Sequence, residues 1–550
     1  MRGPLFYRAL NSLPLAGFRR GAHLFHSALA DPEEAQRRLL FDLLSQNRAC
    51  EFGRQYGFES IRSVREYQHR VPVATYEELA PWIERTKSGE REVLTSEPVL
   101  AFEKSSGSAS AAKYIPYTQT LRGQFQSALA PWISDMHHEF PRVSRGCAYW
   151  VVTPLSRERE VTEAGIPVGF ESDTEYFGSM QQWILGKTMA VPPELARVPE
   201  LDDCIYLTLR FLLQAHALAF ISVWSPSFLL ILLDCLQQNG ERLVRDLLKG
   251  EADVASGISP KISGLLVRDA RQARNLQAMW HRGRIEPLGL WPQLALISCW
   301  TSGASAPMKP ELEQRFPGVS IQGKGLLATE GVVSIPIEEY GAPVAAITSH
   351  FLEFLDEDSG ECGLLAELKE GREYSVVLTT GGGLWRYRLG DRVRVVGFAK
   401  KTPLLEFVGK EDCVSDLRGE KLNALFVANA LSEFECCRCA SFAMLAPSIA
   451  GTPHYSLFLE SGCWRPDLCV RLDQKLQANP HYAYCRRIGQ LGEVRIFRID
   501  HDARQSYVTH CAALGQRAGN VKMTALDKRS GWERVFPGAY VQACRAEVCA

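Results

Sequence analysis

The chain has 550 residues, and its 62 Lys and Arg residues nearly balance its 63 Asp and Glu residues, for a formal net charge of −1. This balance, together with the lack of a long basic run, argues against nucleic-acid binding. The hydrophobic fraction of 46% is typical of a globular protein, and at roughly 100–200 residues per domain the length suggests about two to four domains.

The N-terminal segment does not resemble a secretory signal, because charged, polar and proline residues interrupt its apolar stretch over residues 5–18. The most apolar stretch, residues 211–233, contains His216 and Pro226 and is too polar for a membrane span. We therefore expect no membrane-spanning segment. We interpret residues 211–233 as a buried helix, a turn at residues 224–227 and a second helix.

The 16 cysteines are scattered, except for one cluster at residues 436–439. A zinc site would need a second ligand pair at suitable spacing, and Cys463 and Cys469 fit that requirement badly. We favour buried free thiols that pack as small hydrophobic groups. Without an export signal, these thiols indicate a reducing compartment, and we expect a cytoplasmic protein.

The first hundred residues show helical patterns followed by an extended one. Residues 31–50 predict an amphipathic helix with Asp31 as its N-cap, and residues 76–86 predict another helix that opens near Thr75. Residues 93–102 predict extended chain that leads into a serine-rich loop.

The middle of the chain alternates helical and extended segments, which predicts an α/β or α+β architecture. Residues 294–300 and 320–328 are strand candidates, with a helix predicted between them at residues 310–316. Residues 335–396 are mostly β in pattern, with a turn at the three glycines 381–383.

The serine-rich loop begins Ser105-Ser106-Gly107-Ser108 and runs to Lys113. Serine hydroxyls and free backbone N–H groups can bind a phosphate chain. The spaced glycines and the Lys-Ser/Thr ending of a Walker loop are missing. A phosphate-binding loop and a solvated loop of small residues therefore both stay open.

Two carboxylates follow predicted strands. Asp391 ends residues 385–391, which we predict to be a turn between strands, and its carboxylate can accept two hydrogen bonds from a vicinal diol such as ribose. The alternative is a turn aspartate paired with Arg388 or Arg392. Glu330 follows a predicted strand end, where a carboxylate beside phosphate oxygens would hold Mg²⁺. The alternative there is an acid that caps a helix.

Taken together, these segments resemble the Gretchen Hagen family of acyl acid amido synthetases, adenylate-forming enzymes that include plant auxin- and jasmonate-conjugating enzymes. The serine-rich loop runs into the distinctive ending Lys-x-x-Pro-Tyr-Thr at residues 113–118. Thr-Glu-Gly at residues 329–331 resembles the family's second motif, and Tyr-Arg-x-Gly-Asp at residues 387–391 resembles its third. The resemblance extends over nearly the whole chain, and its form is closer to the bacterial branch.

The resemblance implies a mixed α/β fold in two domains. We expect a large N-terminal adenylation domain over residues 1–408, with a β-barrel and flanking α/β sheets, and a smaller, mobile α+β domain over residues 409–550. The polar, turn-like segment near residues 400–412 supports this boundary. Lys410 and Asp412 resemble the family's hinge between the two domains.

The resemblance also implies roles for single residues. Asp391 would hold the ribose hydroxyls, and Glu330 would position Mg²⁺ or the α-phosphate. Lys522, carried in by the C-terminal domain, would offset negative charge during adenylation. The residues expected to bind ATP or AMP are Ser105, Ser106, Gly107, Ser108, Thr329, Glu330, Asp391 and Lys421.

The acyl pocket is expected to draw on residues 162–176 and 221–233. In the second segment, Trp224 and Phe228 suit an apolar acid, and ordinary core packing is the alternative for either aromatic. Leu326 stands where superfamily members often place an aromatic residue that stacks on adenine, so no adenine contact is assigned.

The implied reaction has two steps. The carboxylate of a small acid attacks the α-phosphate of ATP in the presence of Mg²⁺ to give acyl-AMP, and the amine of an amino acid then attacks the activated carbonyl. Transfer to coenzyme A or to a carrier-protein thiol is the nearest alternative. Three alanines within residues 109–112, where relatives often carry Thr or Gly, leave open a catalytically weak acyl- or nucleotide-binding protein.

Overall fold

The computed structural model describes residues 4–105, 113–152, 160–169, 186–255, 257–411, 413–449, 451–463, 465 and 467–541. The helices up to residue 410 are α1 (Pro4–Ala28), α2 (Pro32–Gln46), α3 (Glu51–Gln55), α4 (Val64–Arg70), α5 (Tyr76–Lys87), α6 (Gln119–Glu139), α7 (Leu201–Gln214), α8 (Pro226–Gln238), α9 (Gly240–Lys249), α10 (Pro260–Ser263), α11 (Ala270–His281), α12 (Pro287–Leu290) and α13 (Lys309–Arg315). The later helices are α14 (Ala424–Ser432), α15 (Glu435–Arg438), α16 (Leu468–Leu476), α17 (Pro480–Arg487) and α18 (Ala503–Ala513).

The strands form separate sheets. The strands up to residue 410 are β1 (Ala101–Ser105), β2 (Lys113–Tyr117), β3 (Cys147–Trp150), β4 (Glu160–Val161), β5 (Pro167–Val168), β6 (Leu218–Ser222), β7 (Leu296–Cys299), β8 (Ser320–Gly323), β9 (Ser334–Ile335), β10 (Val344–Ala345), β11 (Phe351–Leu355), β12 (Cys362–Gly363), β13 (Glu373–Thr379), β14 (Tyr387–Ala399) and β15 (Thr402–Lys410). The later strands are β16 (Val414–Ser415), β17 (Leu422–Asn423), β18 (Phe442–Ser448), β19 (His454–Glu460), β20 (Arg495–Ile499) and β21 (Gly538–Tyr540).

A parallel sheet of four strands, in the order β3-β6-β7-β8, lies at the centre of the larger, N-terminal unit. Every residue of β6 and β7 is buried, as expected where helices cover both faces of a parallel sheet. Leu209, Leu230 and Leu243, from α7, α8 and α9, belong to the same core as the sheet. The carboxyl ends of these strands consequently meet at one edge.

A seven-stranded antiparallel sheet has the order β12-β11-β13-β14-β15-β10-β9 and lies in the region where the resemblance implied a barrel; no pairing between its end strands β12 and β9 is present among the described residues. Burial alternates along β14: Tyr387, Leu389 and Asp391 are buried, and Arg388 and Arg392 are more exposed. This period of two is the pattern of a strand with one inner and one outer face. A shorter sheet has the order β2-β1-β5-β4, and its strands β1 and β2 flank the serine-rich loop.

The C-terminal unit is built on a four-stranded sheet, β18-β19-β20-β21. Leu445 and Leu457 on one face pack in a core of this unit alone. Met444 and Phe458 on the other face belong to the core that contains the parallel sheet. The C-terminal unit is therefore joined to the larger unit by continuous apolar packing. Within the described ranges, no helix is both long and apolar enough to cross a membrane.

Several predicted elements are confirmed, and the helix predicted after residue 211 is wrong. The Asp31 side chain caps α2 by accepting the N–H of Glu34, and α5 begins after Thr75. The single helix predicted after residue 211 is interrupted, because β6 lies between α7 and α8. A short apolar run is compatible with a buried strand and with a buried helix, so periodicity could not distinguish the two. β15 extends to Lys410, two residues beyond the predicted boundary at residue 408.

A buried ion pair joins the N-terminal helices to the antiparallel sheet. The guanidinium of Arg386 donates to both carboxylate oxygens of Glu353, with the shortest distance 2.9 Å. It also donates to the backbone carbonyls of Gln68 at 2.6 Å and Val71 at 2.7 Å. The side chains of Arg386 and Glu353 are 6% and 0% exposed, so removal of either partner would leave an uncompensated buried charge.

We predict that Arg386→Ala lowers the free energy of unfolding by about 3–5 kcal/mol, because Glu353 would lose its buried counter-ion. Urea denaturation followed by tryptophan fluorescence measures this loss. The control is Arg372→Ala, whose side chain is 47% exposed and pairs with Asp356 at the surface. The control should cost much less, because an ion pair at the surface contributes little to stability, and equal losses in the two variants would contradict the prediction.

Candidate active site

A cleft of about 2250 Å³ opens at the carboxyl ends of the parallel strands. Trp150 and Ser222 end β3 and β6, Trp300 and Lys324 directly follow β7 and β8, and all four line the cleft. Ligands of open α/β sheets characteristically bind outside this edge. The antiparallel sheet and the C-terminal unit supply the other walls.

Glu330 lies in a tight loop that enters the cleft after β8. The N–H of Ala328 donates to the carbonyl of Gly331 at 3.0 Å, and the hydroxyl of Tyr117 donates to the carbonyl of Thr329 at 2.6 Å. The Glu330 side chain is buried, and burial is the main cause that raises the pKa of its carboxyl. The next described element is strand β9, so the alternative of a helix-capping acid is not supported.

Asp391 lies inside strand β14, and the prediction of a turn is wrong, because β14 continues without a break through this residue. The carboxylate is buried; its Oδ1 accepts no hydrogen bond from the described residues and lies 3.5 Å from Nζ of Lys410. The alternation of the strand turns Arg388 and Arg392 to the other face, where each pairs with glutamate. The structure thus rules out the alternative of an aspartate paired with one of these arginines.

Two lysines act on the Glu330 carboxylate, and one of them, Lys410, also pairs with Asp391. Lys410 and Lys113 lower the pKa of Glu330 and so oppose the effect of burial, whereas Asp391 raises it. Nζ of Lys113 lies 3.5 Å from the hydroxyl of Tyr387. Sequence reasoning gave Lys410 only a hinge role and Lys113 none. The pairing of β14 with β15, which sets Asp391 opposite Lys410, is the signal that would have revealed the first contact.

Lys522 enters the cleft from the C-terminal unit on an anchored segment. Its neighbours Val521 and Met523 are buried in the core shared by the two units. The N–H of Ser225, in the larger unit, donates to the carbonyl of Gly519 at 3.2 Å. Two buried neighbours and one backbone hydrogen bond therefore fix the point from which Lys522 extends.

The ammonium of Lys522 lies 4.3 Å from the ring centre of Trp300 and 5.7 Å from that of Phe407. Loss of hydration lowers the pKa of Lys522, Asp391 raises it, and Lys410 lowers it. These mutual effects mean that Lys522 belongs to the same electrostatic cluster as Asp391. The fold thus brings together three residues that the sequence suggested separately: Glu330, Asp391 and Lys522.

Other predicted residues are placed differently. Ser105 ends β1, pairs with Lys113 and lines the cleft, whereas Ser106, Gly107 and Ser108 lie outside the described residues. Asp412 and residues 170–176 of the predicted acyl segment also lie outside them.

Of the two predicted acyl-pocket aromatics, the fold brings only one to the cleft. Trp224 is part of its lining, but Phe228 is 1% exposed and packs in the core beneath the parallel sheet. Lys421 is exposed on the C-terminal unit, with a φ of +46°, and does not line the cleft in this arrangement.

The cysteines form no metal site in the part of the chain that the structure describes. All the described cysteines are free thiols, and no cluster of three or more Cys, His, Asp or Glu side chains there is arranged to hold a metal ion. Cys436 is buried, and Cys437 and Cys439 lie at the cleft. Cys436 is thus a buried thiol as the sequence predicted, whereas Cys437 is half-buried and Cys439 is exposed, so the prediction of buried thiols is wrong for Cys439.

His350 packs against the loop that contains Glu330. Its Nδ1 accepts the N–H of Val332 at 3.4 Å. A Cβ at Gly331 would lie only 3.0 Å from the imidazole, so the loop and the ring are in close contact. Burial lowers the pKa of His350 from its ordinary value of 6.5 to about 3.

Three family models match successive parts of the chain. The GH3 family N-terminal domain matches residues 21–321, the GH3 family central domain matches residues 344–410, and the GH3 family C-terminal domain matches residues 423–530. The first model alone spans more than half of the chain. The central match ends at the last residue of β15.

Individual relatives are distant but similar over most of their length. "Probable indole-3-acetic acid-amido synthetase GH3.12" of Oryza sativa subsp. japonica is 23% identical over 91% of this chain and 92% of its own. "Indole-3-acetic acid-amido synthetase GH3.4" of Arabidopsis thaliana is 25% identical over 71% of this chain and 69% of its own. The solved structure "AtGH3.15 acyl acid amido synthetase in complex with 2,4-DB" shares the fold, with a TM-score of 0.81 at 19% identity over 95% of this chain and 96% of its own.

We predict that acidification destabilises the protein partly through His350. Between pH 6.5 and about 3 the unfolded chain binds a proton that folded His350 does not, so stability is lost as the pH falls through this window. From pH 7 to pH 5 this residue should account for about 2 kcal/mol. Urea denaturation at both pH values should show a smaller loss for His350→Gln, whose amide oxygen can still accept the Val332 N–H. Equal losses in the variant and the unchanged protein would contradict the prediction.

Proposed function

The chain belongs to the GH3 family, and we propose that its cleft activates and transfers an acyl group at the charge cluster around Glu330, Asp391 and Lys522. As a GH3 enzyme it is an adenylate-forming ligase, which uses ATP and joins an acyl acid to an amino acid. The observation that carries the site proposal is the convergence of two buried carboxylates and the ammonium of Lys522 at one end of a cleft with aromatic walls. The family assignment removes support from the thioester-ligase and binding-protein alternatives.

We assign Asp391 to the ribose. Its Oδ1 is buried without a hydrogen-bond donor in the described residues, and Lys410 lies on the same side at 3.5 Å. A buried carboxylate that lacks donors is stabilised by two hydroxyls that donate to it, as a vicinal diol can. Arg388 and Arg392 pair elsewhere and do not compete for it.

We assign Glu330, with Thr329 and the loop that begins at Ser105, to the phosphates. The raised pKa of the Glu330 carboxyl means that a cation beside it would stabilise its charged form. No all-protein metal cage exists among the described residues, which suits Mg²⁺, because that ion is commonly held by one or two carboxylates together with phosphate oxygens. When bound there, Mg²⁺ would offset negative charge on the departing pyrophosphate.

We assign Lys522 to the adenylation step. Its ammonium would face the α-phosphate as the acid's carboxylate attacks and pyrophosphate leaves, where a fixed positive charge lowers the barrier. The side chain is exposed to the cleft, and the ring faces of Trp300 and Phe407 hold its ammonium on the cleft wall by cation–π attraction.

We further propose that residues 409–550 move about Lys410 and Asp412 between the two steps. β15 ends at Lys410, so the last residue paired to the large sheet is also the proposed pivot. Lys421 is remote from the cleft lining in this arrangement and would reach the nucleotide in the other. In this arrangement of the C-terminal unit Lys522 would serve adenylation, and in the other arrangement Lys421 would serve the transfer step.

The acyl end of the cleft favours a flat, apolar acid, because Trp150, Trp224 and Trp300 line it. The Oryza sativa and Arabidopsis thaliana synthetases named above carry indole-3-acetic acid in their names; we propose an aryl acid as the substrate class here. The bacterial-branch assignment stays a prediction, since those relatives are plant proteins. A cytoplasmic location also stays a proposal, supported by the free thiols of the described cysteines.

We predict that Asp391→Ala lowers ATP–pyrophosphate exchange by about 100-fold or more, because two hydrogen bonds to a charged group are lost. Exchange is measured with a panel of aryl and fatty acids in the unchanged protein, and then with the most active acid in the variant. Asp358→Ala, at an exposed carboxylate, serves as control and should retain full exchange. Undiminished exchange in the Asp391 variant would rule out the ribose role.

We predict that Lys522→Ala lowers the exchange rate by about 10²–10³-fold, since one charge that stabilises the transition state is removed. ATP binding, measured by isothermal titration, should change by less than about threefold, because the ground state keeps its other contacts. Lys401→Ala, in the exposed turn between β14 and β15, is the matched control. A parallel loss of ATP affinity would indicate a binding role in place of a catalytic one.

A further inference from the structure

Lys324 brings an ammonium group to a place in the cleft that the proposed chemistry does not use. It directly follows β8, lines the cleft and is 2% exposed. Its Nζ donates to the hydroxyl of Ser222, at the end of β6, at 2.7 Å. Its backbone N–H donates to the carbonyl of Cys299 at 3.2 Å, which holds it against the end of β7.

Three indole rings surround this ammonium. Nζ of Lys324 lies 5.1 Å from the ring centre of Trp132, 5.8 Å from that of Trp150 and 5.0 Å from that of Trp224. The indole N–H of Trp132 donates to Gln322 at 2.8 Å, so this ring is held in place. Aromatic faces attract a cation without neutralising its charge. Because the rings also lower the local dielectric constant, the charge attracts an anionic ligand more strongly than it would in water.

The Lys324 group is connected to the charge cluster by a short aromatic wall. The rings of Trp224 and Trp300 are 5.7 Å apart, centre to centre. Lys324 contacts the first ring and Lys522 the second, at 5.0 Å and 4.3 Å. One side of the cleft is thus a pair of indoles with an ammonium at each end.

Building on the proposed function, we propose that the acyl acid is an aryl acid with a second acceptor or anionic group at the end remote from the reacting carboxylate. The ring of the acid lies against Trp224 and Trp300. The reacting carboxylate faces the end where Lys522 lies, and the remote group binds Lys324 and Ser222. A hydrogen bond between the remote group and the Lys324 ammonium is charge-assisted and lies beside aromatic walls, where such a bond is strong.

Matched acids test this assignment by equilibrium binding, so the result does not depend on turnover. The probes are benzene-1,4-dicarboxylate and 3-(4-carboxyphenyl)propanoate. The first is compared with 4-methylbenzoate and the second with 3-(4-methylphenyl)propanoate, in which a methyl group replaces one ring carboxylate. Quenching of tryptophan fluorescence reports binding. We expect at least one dicarboxylate to bind at least tenfold more tightly than its methyl analogue.

Lys324→Met then separates recognition from packing, because methionine keeps an unbranched side chain and removes the charge. We expect the variant to lose the tenfold preference through weaker dicarboxylate binding, with methyl-analogue binding unchanged or tighter. Lys309→Met, at a more exposed lysine of the same cleft, should keep the preference. Ser222→Ala, which retains the charge, should reduce it by a smaller factor and covers the case in which Lys324→Met does not fold.

The inference is overturned if the unchanged protein binds each pair equally, prefers the methyl analogues or binds none of the four. It is also overturned if Lys324→Met weakens both members of a pair by the same factor. ATP–pyrophosphate exchange with the same acids tests the proposed function separately. A binding preference without exchange would reject the proposed function and leave this inference standing, whereas exchange with the methyl analogues alone would do the reverse.

Discussion

Arg386 adopts a φ of +45°, in the left-handed region that a non-glycine residue rarely occupies, and its guanidinium is held there by Glu353 and two backbone carbonyls. The backbone of this segment also forms two hydrogen bonds with Ala74. The N–H of Ala74 donates to the carbonyl of Arg386, and the N–H of Arg388 donates to the carbonyl of Ala74. Together these contacts fix where β14 begins. Because side chains alternate along a strand, the starting point decides which residues face inward, and Asp391 is among them.

Burial of two carboxylates close together would be unfavourable without positive charge nearby. The large unit supplies Lys410 and Lys113, and the C-terminal unit supplies Lys522. These charges do not fully offset the burial of Glu330, whose carboxyl keeps a raised pKa. This incomplete compensation supports the proposal that the cluster receives a ligand with both hydroxyl donors and a metal-bound polyphosphate, as adenylation would require.

The position of Lys522 depends on packing far from the cluster. The inner face of the C-terminal sheet, with Met444 and Phe458, shares a core with the helices of the parallel sheet. The ion pair of Arg504 with Glu311 adds a polar contact between the units. The shared apolar core sets the orientation of the C-terminal unit, and this orientation places Lys522 at the cleft. A second arrangement would have to replace that burial with other contacts of similar area.

The sequence by itself determined the mixed α/β class, the capped helices near the N-terminus and the three motifs, because these depend on local propensity and on fixed spacing. It also led to Glu330, Asp391 and Lys522, but only through resemblance, since each residue read alone had an ordinary structural explanation. Only the tertiary structure decided that residues 218–222 form a strand, because burial on both faces removes the periodicity that tells strand from helix. It also decided that Asp391 lies in a strand, because the pairing of β14 with β15 continues through this residue. The tertiary structure likewise decided that Phe228 packs in the core and that Lys324 reaches the cleft, since the direction of a side chain depends on which strand ends meet at the sheet edge.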